Sequence, residues 1–321
     1  MSWKLKIDQP IRNLGEVYDR AVALTHEYGP YRVALAVGDD FLCLNGLALG
    51  RERALVEPIL VGHQRQIQET LESLNLPAHE WMIYAEKEHH SATQKAAQLV
   101  TSGMADILMR GRLLAREFFQ ALFDPAMELR QGDDLWSNVV VFEIEELDRL
   151  IFLTDCALVA RSDLTERLKL IQNATELTAF LGVKNPRVAL LAAVESVTPG
   201  MPVSLEEAAI AKMSERGQFP KGVVVDGPLS LDLALSEESV KKKGIDSAVA
   251  GKADVLVVNN LHIGNVLFKS LVTLCGAKSA STIVGSPFPI IVSSRSESPE
   301  NILYSLALSI LMVGPKKDSA E

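Results

Sequence analysis

The stretch PIIVSSRSESPENILYSLALSILM, residues 289–312, carries a complete strand–turn–helix unit. Pro289 to Val292 is a short, β-branched apolar run of the kind that fills a buried strand. Ser298 follows where a helix cap accepts a backbone N–H, Pro299 takes the first helical position, and apolar residues recur to Met312. A strand that runs straight into a helix predicts a sheet covered by helices.

Outward from this unit the same alternation repeats. Strand-like runs stand at YRVALAVG (31–38), VEPILVG (56–62), ADILMRG (105–111), RVALLAAVE (187–195), KGVVVDGP (221–228), ADVLVV (253–258) and STIVG (281–285). Most are continuously apolar, as expected of parallel strands buried on both faces. Between them lie helical patterns. One starts at Ser204, with Glu207 as its capping-box partner. Another follows Gly264 and directs Val266, Leu267, Leu271 and Leu274 to one face. Residues 120–150 break the alternation with an acidic passage, which reads as the crossover between two α/β units. The fold class is an open α/β fold.

The chain has 321 residues, 48% of them hydrophobic and 23% charged, enough for two packed cores. Lysine plus arginine is 32 against 41 acidic residues, a net charge of −9 that disfavours nucleic acid and anionic membranes as partners. Cys43, Cys156 and Cys275 are far apart in apolar runs and read as small core residues. An odd cysteine count, no apolar leader in MSWKLKIDQP and no membrane-length run predict a cytoplasmic protein.

In open α/β sheets ligands collect beyond the carboxyl ends of strands. Gly38, Gly62, Gly111, Gly227 and Gly285 stand at such ends, where each also serves a tight turn. Ser294 and Arg295 occupy a strand terminus just before a helix N-terminus, a natural place for an anion. The competing reading pairs Arg295 with Glu297 or Glu300 at the surface. Arg110, Arg112 and Arg116 form a second cationic strand end. The nucleophile-elbow, Walker, dinucleotide and zinc-protease motifs are absent from the sequence, and His89 and His90 lie in the polar stretch EKEHHS.

Taken in order, VEPILVG, ILMRG, VVFEIEELDRLIFLTD, AAVESVTPGMP, AKMSERGQ, KGVVVDGPLSLD, KKKGIDSAVAGKADVLVV, GNVLFKSL and IVSSR form a family pattern. The sequence resembles the phosphate acetyl/butyryltransferases, in particular the butyryl branch, from about residue 30 to about residue 312. The resemblance implies a two-domain fold of the isocitrate/isopropylmalate dehydrogenase type with the active-site cleft between domains. It makes residues 1–135 and 286–321 the first domain and residues 136–285 an inserted second one. It further implies exchange of the acyl group of a short-chain acyl-CoA with inorganic phosphate, giving acyl phosphate and free CoA. CoA and acyl-CoA are then substrates, no cofactor is bound permanently, and the protein is a homodimer or larger homo-oligomer.

By the same resemblance Ser294, Arg295 and Glu297 are the catalytic residues, with Glu297 at an aspartate position of the butyryl branch. Substrate contacts fall to Arg110, Gly111, Arg112, Arg116, Asp226, Gly227, His262, Asn265, Gly285 and Ser286. Some positions depart from the pattern. Gln120 stands for an arginine, Ala115 for a threonine, and Asn301 for the aspartate of the acetyl branch. In the Pro-Asp-x-x-x-Gly-Asn segment Asn260 replaces the aspartate, and His262 replaces a residue often acidic. Arg112 or Arg116 could supply the cation lost at Gln120, with Glu297 or His262 as thiol base. Alternatively, the chain is a catalytically impaired member that binds CoA or acyl phosphate as a regulatory subunit.

Overall fold

A computed structural model describes Trp3, residues 5–130, Gly132 and residues 134–316. The fold is mixed α/β and divides into two compact units. The first unit holds Leu14–Trp136 and the segment from Lys278 onward, and the second holds Ile7–Asn13 and Ser137–Ala277.

The chain builds the first unit with α1 (Leu14–Tyr28), β1 (Tyr31–Ala36), α2 (Phe41–Glu52), β2 (Val56–Gly62), α3 (Gln64–Ser73), β3 (Met82–Ala85), α4 (His89–Thr101), β4 (Ile107–Arg110) and α5 (Ala115–Leu122). The second unit follows with β5 (Ser137–Glu143), β6 (Ile151–Thr154), α6 (Leu164–Phe180), β7 (Arg187–Leu191), α7 (Pro202–Glu215), β8 (Val224–Leu229), α8 (Leu231–Leu235), α9 (Glu237–Lys243), β9 (Val255–Val257) and α10 (Leu261–Leu274). The return segment adds β10 (Lys278–Val284), β11 (Ile290–Val292) and α11 (Pro299–Val313) to the first unit.

In the first unit the strands lie in the order β3-β2-β1-β4-β11-β10. All pair in parallel except β10, which runs antiparallel to β11 through Ile283 and Ile290. Ala36 lies beside Arg110, and Arg110 beside Val292, so the carboxyl ends of β1, β4 and β11 finish at one level. Gly111 makes this possible, because a Cβ there would stand 2.2 Å from the Val37 carbonyl oxygen. α11 packs on α1, α2 and β10, while α4 packs on β1, β2 and α5. Enclosed in this way, α11 is buried almost all round from Ile302 to Met312, which explains its continuously apolar sequence.

The second unit orders its strands β5-β6-β9-β7-β8, with β5 and β6 antiparallel and the rest parallel. Phe142, Leu153, Leu233, Leu256 and Phe268 are central to its core. Among the described residues no helix is long and apolar enough to cross a membrane.

Several local expectations change. The passage read as a crossover contains β5 and leads into β6, which form an antiparallel pair that the acidic residues between them obscured. STIVG is the antiparallel β10; a wholly apolar strand signals burial on both faces and says nothing of direction. Ser204 is not a cap. Pro202 starts α7 earlier, the Ser204 hydroxyl accepts from the Thr198 N–H at 3.0 Å, and Glu207 is buried inside the helix. Asn260 caps α10 by accepting the Ile263 N–H at 3.1 Å, so that helix begins before Gly264. Its apolar face is only partly covered: Leu267 and Leu271 pack on the core, but Val266 and Leu274 are 65% and 81% exposed. Cys43 and Cys156 are buried, whereas Cys275 is exposed and is not a core residue.

Candidate active site

The site is built at the carboxyl end of β11. After Val292 the chain leaves the sheet and turns through Ser294 to Glu297 before Ser298 caps α11 by accepting the Asn301 N–H at 3.2 Å. The turn is tied in both directions. Ser294 donates its N–H to the Glu297 carboxylate, and Glu297 donates its own N–H to the Ser294 carbonyl at 3.0 Å. The Glu297 side chain is only 6% exposed; it points beneath the turn and accepts the Ser279 hydroxyl at 3.3 Å. Burial pushes its carboxyl up to about 7, against the opposing pull of the Ser294 amide, the Ser279 hydroxyl and the nearby Arg110 charge. With Glu297 turned inward, Arg295 is left exposed at the surface. The Ser294 hydroxyl sits 2.9 Å from that of Ser296, and either can donate.

Arg110 closes the next strand end. One arm of its guanidinium donates to the Leu113 carbonyl at 2.9 Å, and the other donates to the Ser293 carbonyl. The side chain therefore bridges β4 and the residue that precedes Ser294. Burial works against its charge, as does the neighbouring Arg295, while the carboxylates of Asp40 and Glu297 favour it. Cys43 lies in the same corner, with its sulfur 3.3 Å from the Ser293 hydroxyl and its N–H capped by Asp40 at 2.9 Å. Burial raises this thiol well above its ordinary range, so it packs as a neutral group.

The expected residues separate accordingly. Arg110, Gly111, Ser294, Arg295 and Glu297 meet at adjacent strand ends. Glu297 meets them from below, where its carboxylate accepts the Ser294 N–H. Arg112 is tied to Asp39 at 3.1 Å and remains largely exposed. Arg116 is exposed on α5, one turn before the exposed Gln120. Gly285 and Ser286 do not join the site. They form the turn between antiparallel β10 and β11, at the opposite end of β11 from Ser294, with Gly285 at φ +89° and the Ser286 hydroxyl donating to the Phe288 carbonyl at 2.7 Å. Asp226, Gly227, His262 and Asn265 belong to the second unit. There Asp226 accepts the Gly227 N–H at 2.8 Å and the Ser247 hydroxyl, and Asn265 donates to the Cys156 carbonyl at 3.2 Å.

Ser279, Ser293, Cys43 and Asn301 are supports that the linear reading missed. Asn301 accepts the Ser279 N–H at 3.2 Å, which fixes the serine that in turn touches Glu297. The adjoining Asp39 and Asp40, just past the first strand, were the one local signal available. Chemically, the corner offers the exposed Arg295 guanidinium with the Arg110 charge behind it, the Ser294 and Ser296 hydroxyls and the N-terminus of a fifteen-residue helix. Such a set suits an oxyanion with several acceptor atoms.

Residues 84–310 match the family described as phosphate acetyl/butaryl transferase. A phosphate butyryltransferase of Clostridium acetobutylicum is 37% identical over 285 residues, covering 89% of this chain and 94% of the relative. A phosphate acetyltransferase of Thermotoga maritima is 35% identical over 291 residues, covering 91% and 98%. Among solved structures, a branched-chain phosphotransacylase from Enterococcus faecalis superimposes with a TM-score of 0.75 at 29% identity, covering 89% of this chain and all of that one.

Proposed function

The chain belongs to the phosphate acetyl/butyryl transferase family, and from that premise we propose that it exchanges the acyl group of a short-chain acyl-CoA with inorganic phosphate. In one direction the CoA thiolate attacks the carbonyl carbon of an acyl phosphate. The C–S bond forms, the C–O bond to phosphorus breaks, and phosphate leaves with the electron pair. The reverse direction uses phosphate as the nucleophile and releases CoA. In this reading Arg295, with Arg110 behind it, holds the phosphate oxygens, and the Ser294 hydroxyl donates to the oxygen of the tetrahedral intermediate. Glu297 orients Ser294, and the departing phosphate carries away the proton that the thiol has lost.

The observation that carries the reading is the reciprocal Ser294–Glu297 turn, which presents Arg295 beside Arg110 at adjacent strand ends. We further propose that CoA and acyl-CoA are substrates and that no permanent cofactor takes part. The two units are proposed as the domains of an isocitrate/isopropylmalate dehydrogenase type of fold. A homo-oligomer formed in the cytoplasm is proposed as the working form, with the uncovered apolar face of α10 available to a second copy.

The test is thiol release from butyryl-CoA and phosphate by the purified protein, followed with a thiol reagent. Release that disappears in Arg295→Ala is the expected result. No release from any acyl-CoA of two to five carbons overturns the reading.

A further inference from the structure

In the second unit a cavity of about 370 Å³ lies against Arg161, Arg167, Glu206, Asn259, Asn260 and His262. Its wall is stitched from two segments that are distant in sequence. Arg161 bridges Asn260, the Leu261 N–H donates to the Ala160 carbonyl at 3.1 Å, and the Ser162 N–H donates to the Asn259 carbonyl at 3.4 Å. The first residues of α7 and of α10 also face it, so two fourteen-residue helices direct the positive ends of their dipoles there.

Arg167 lines this cavity although it is only 2% exposed. It donates to the Ser162 carbonyl at 3.1 Å and to Glu206 at 3.0 Å, and its Nη1 has no hydrogen-bond partner among the described residues. Glu207 lies nearby on α7, where burial pushes its carboxyl up to about 8 against the opposing pull of Arg167. Of the charged side chains that line the cavity, two are guanidinium groups, Arg161 and Arg167, and one is a carboxylate, Glu206.

We propose that this cavity is a phosphate-group site, built by Arg161, Arg167, Asn259 and Asn260 of the second unit. A tetrahedral oxyanion matches the unpartnered Nη1 of Arg167, the Arg161 guanidinium and the two helix N-termini. The group could be inorganic phosphate itself or a phosphate of CoA. Only the second source rests on the proposed acyltransferase activity.

The experiment is calorimetric titration of inorganic phosphate and, separately, of CoA into full-length Arg295→Ala protein, which silences the other anion site. Arg161→Glu and Asn260→Asp are then added one at a time. Aspartate caps a helix as well as asparagine does, so the second variant adds a negative charge without undoing α10. Lys241→Glu, on exposed α9, is the charge-matched control. Both cavity variants are expected to weaken binding about tenfold, with the control unchanged. A loss confined to CoA assigns the site to the nucleotide's phosphate, and a loss for inorganic phosphate assigns it to the free anion. Unchanged affinity for both ligands in both variants overturns the proposal. Failure of butyryl-CoA turnover in the wild type would count against the acyltransferase reading alone, since binding is read directly.

Discussion

Ser294 and Glu297 hold each other by two hydrogen bonds, one from the Ser294 N–H to the buried carboxylate and one from the Glu297 N–H to the Ser294 carbonyl. A four-residue turn at a strand end is thereby fixed by a side chain that solvent barely reaches. Glu297→Gln keeps an acceptor for the Ser294 amide, whereas Glu297→Ala removes it. We expect the alanine variant to lose about 10²-fold in kcat and the glutamine variant markedly less. Steady-state thiol-release kinetics on both variants check this ordering.

The same carboxyl has a consequence for stability. Burial pushes it up to about 7, above the ordinary value of 4.5. Between those values the folded chain holds a proton that the unfolded chain has lost, so stability falls as pH rises through that window. In Glu297→Gln this contribution disappears. Thermal melts at pH 5 and pH 7.5 should show a smaller pH-dependent drop in the variant than in the wild type.

Arg295 is exposed and stands outside the core packing. Arg295→Ala should leave the melting temperature within a degree or so while lowering kcat/KM by about 10²–10³-fold, because the lost contact is to developing negative charge. A large fall in melting temperature would instead mark the residue as structural.

Arg110 should behave differently, because it joins two strand ends. Arg110→Ala strands the Leu113 and Ser293 carbonyls and is expected to cost about 2–3 kcal/mol of stability as well as activity. Arg110→Lys keeps the charge but cannot span both carbonyls, so it should recover phosphate affinity better than stability. Denaturant titration beside phosphate KM separates the two effects.

Glu207 gives a further pH signature in the second unit. Its carboxyl is raised from 4.5 to about 8, chiefly by burial. The folded state again binds the proton more tightly, so ionisation between pH 4.5 and about 8 destabilises it. Glu207→Gln should raise the melting temperature at pH 8.5 relative to the wild type and leave it nearly unchanged at pH 4.5.

By itself the sequence determined the local elements and the family. Continuous apolar runs such as VEPILVG, and the Ser298–Pro299 helix start, are short-range signals, since burial and capping act on neighbouring residues. They also placed Ser294, Arg295 and Arg110 at strand ends. Tertiary structure decided what those ends face. The reversal of β10, which sends Gly285 and Ser286 away from Ser294, depends on pairing between Ile283 and Ile290 that no periodicity encodes. The turning of Glu297 inward onto Ser279, eighteen residues earlier in the chain, likewise follows from how β10 and α11 pack. The meeting of Arg161 with Asn260, nearly a hundred residues apart, is equally a product of tertiary structure. The last two are long-range contacts whose free energy comes from burial and hydrogen bonding in the folded chain, and a residue's neighbours in sequence carry no record of them.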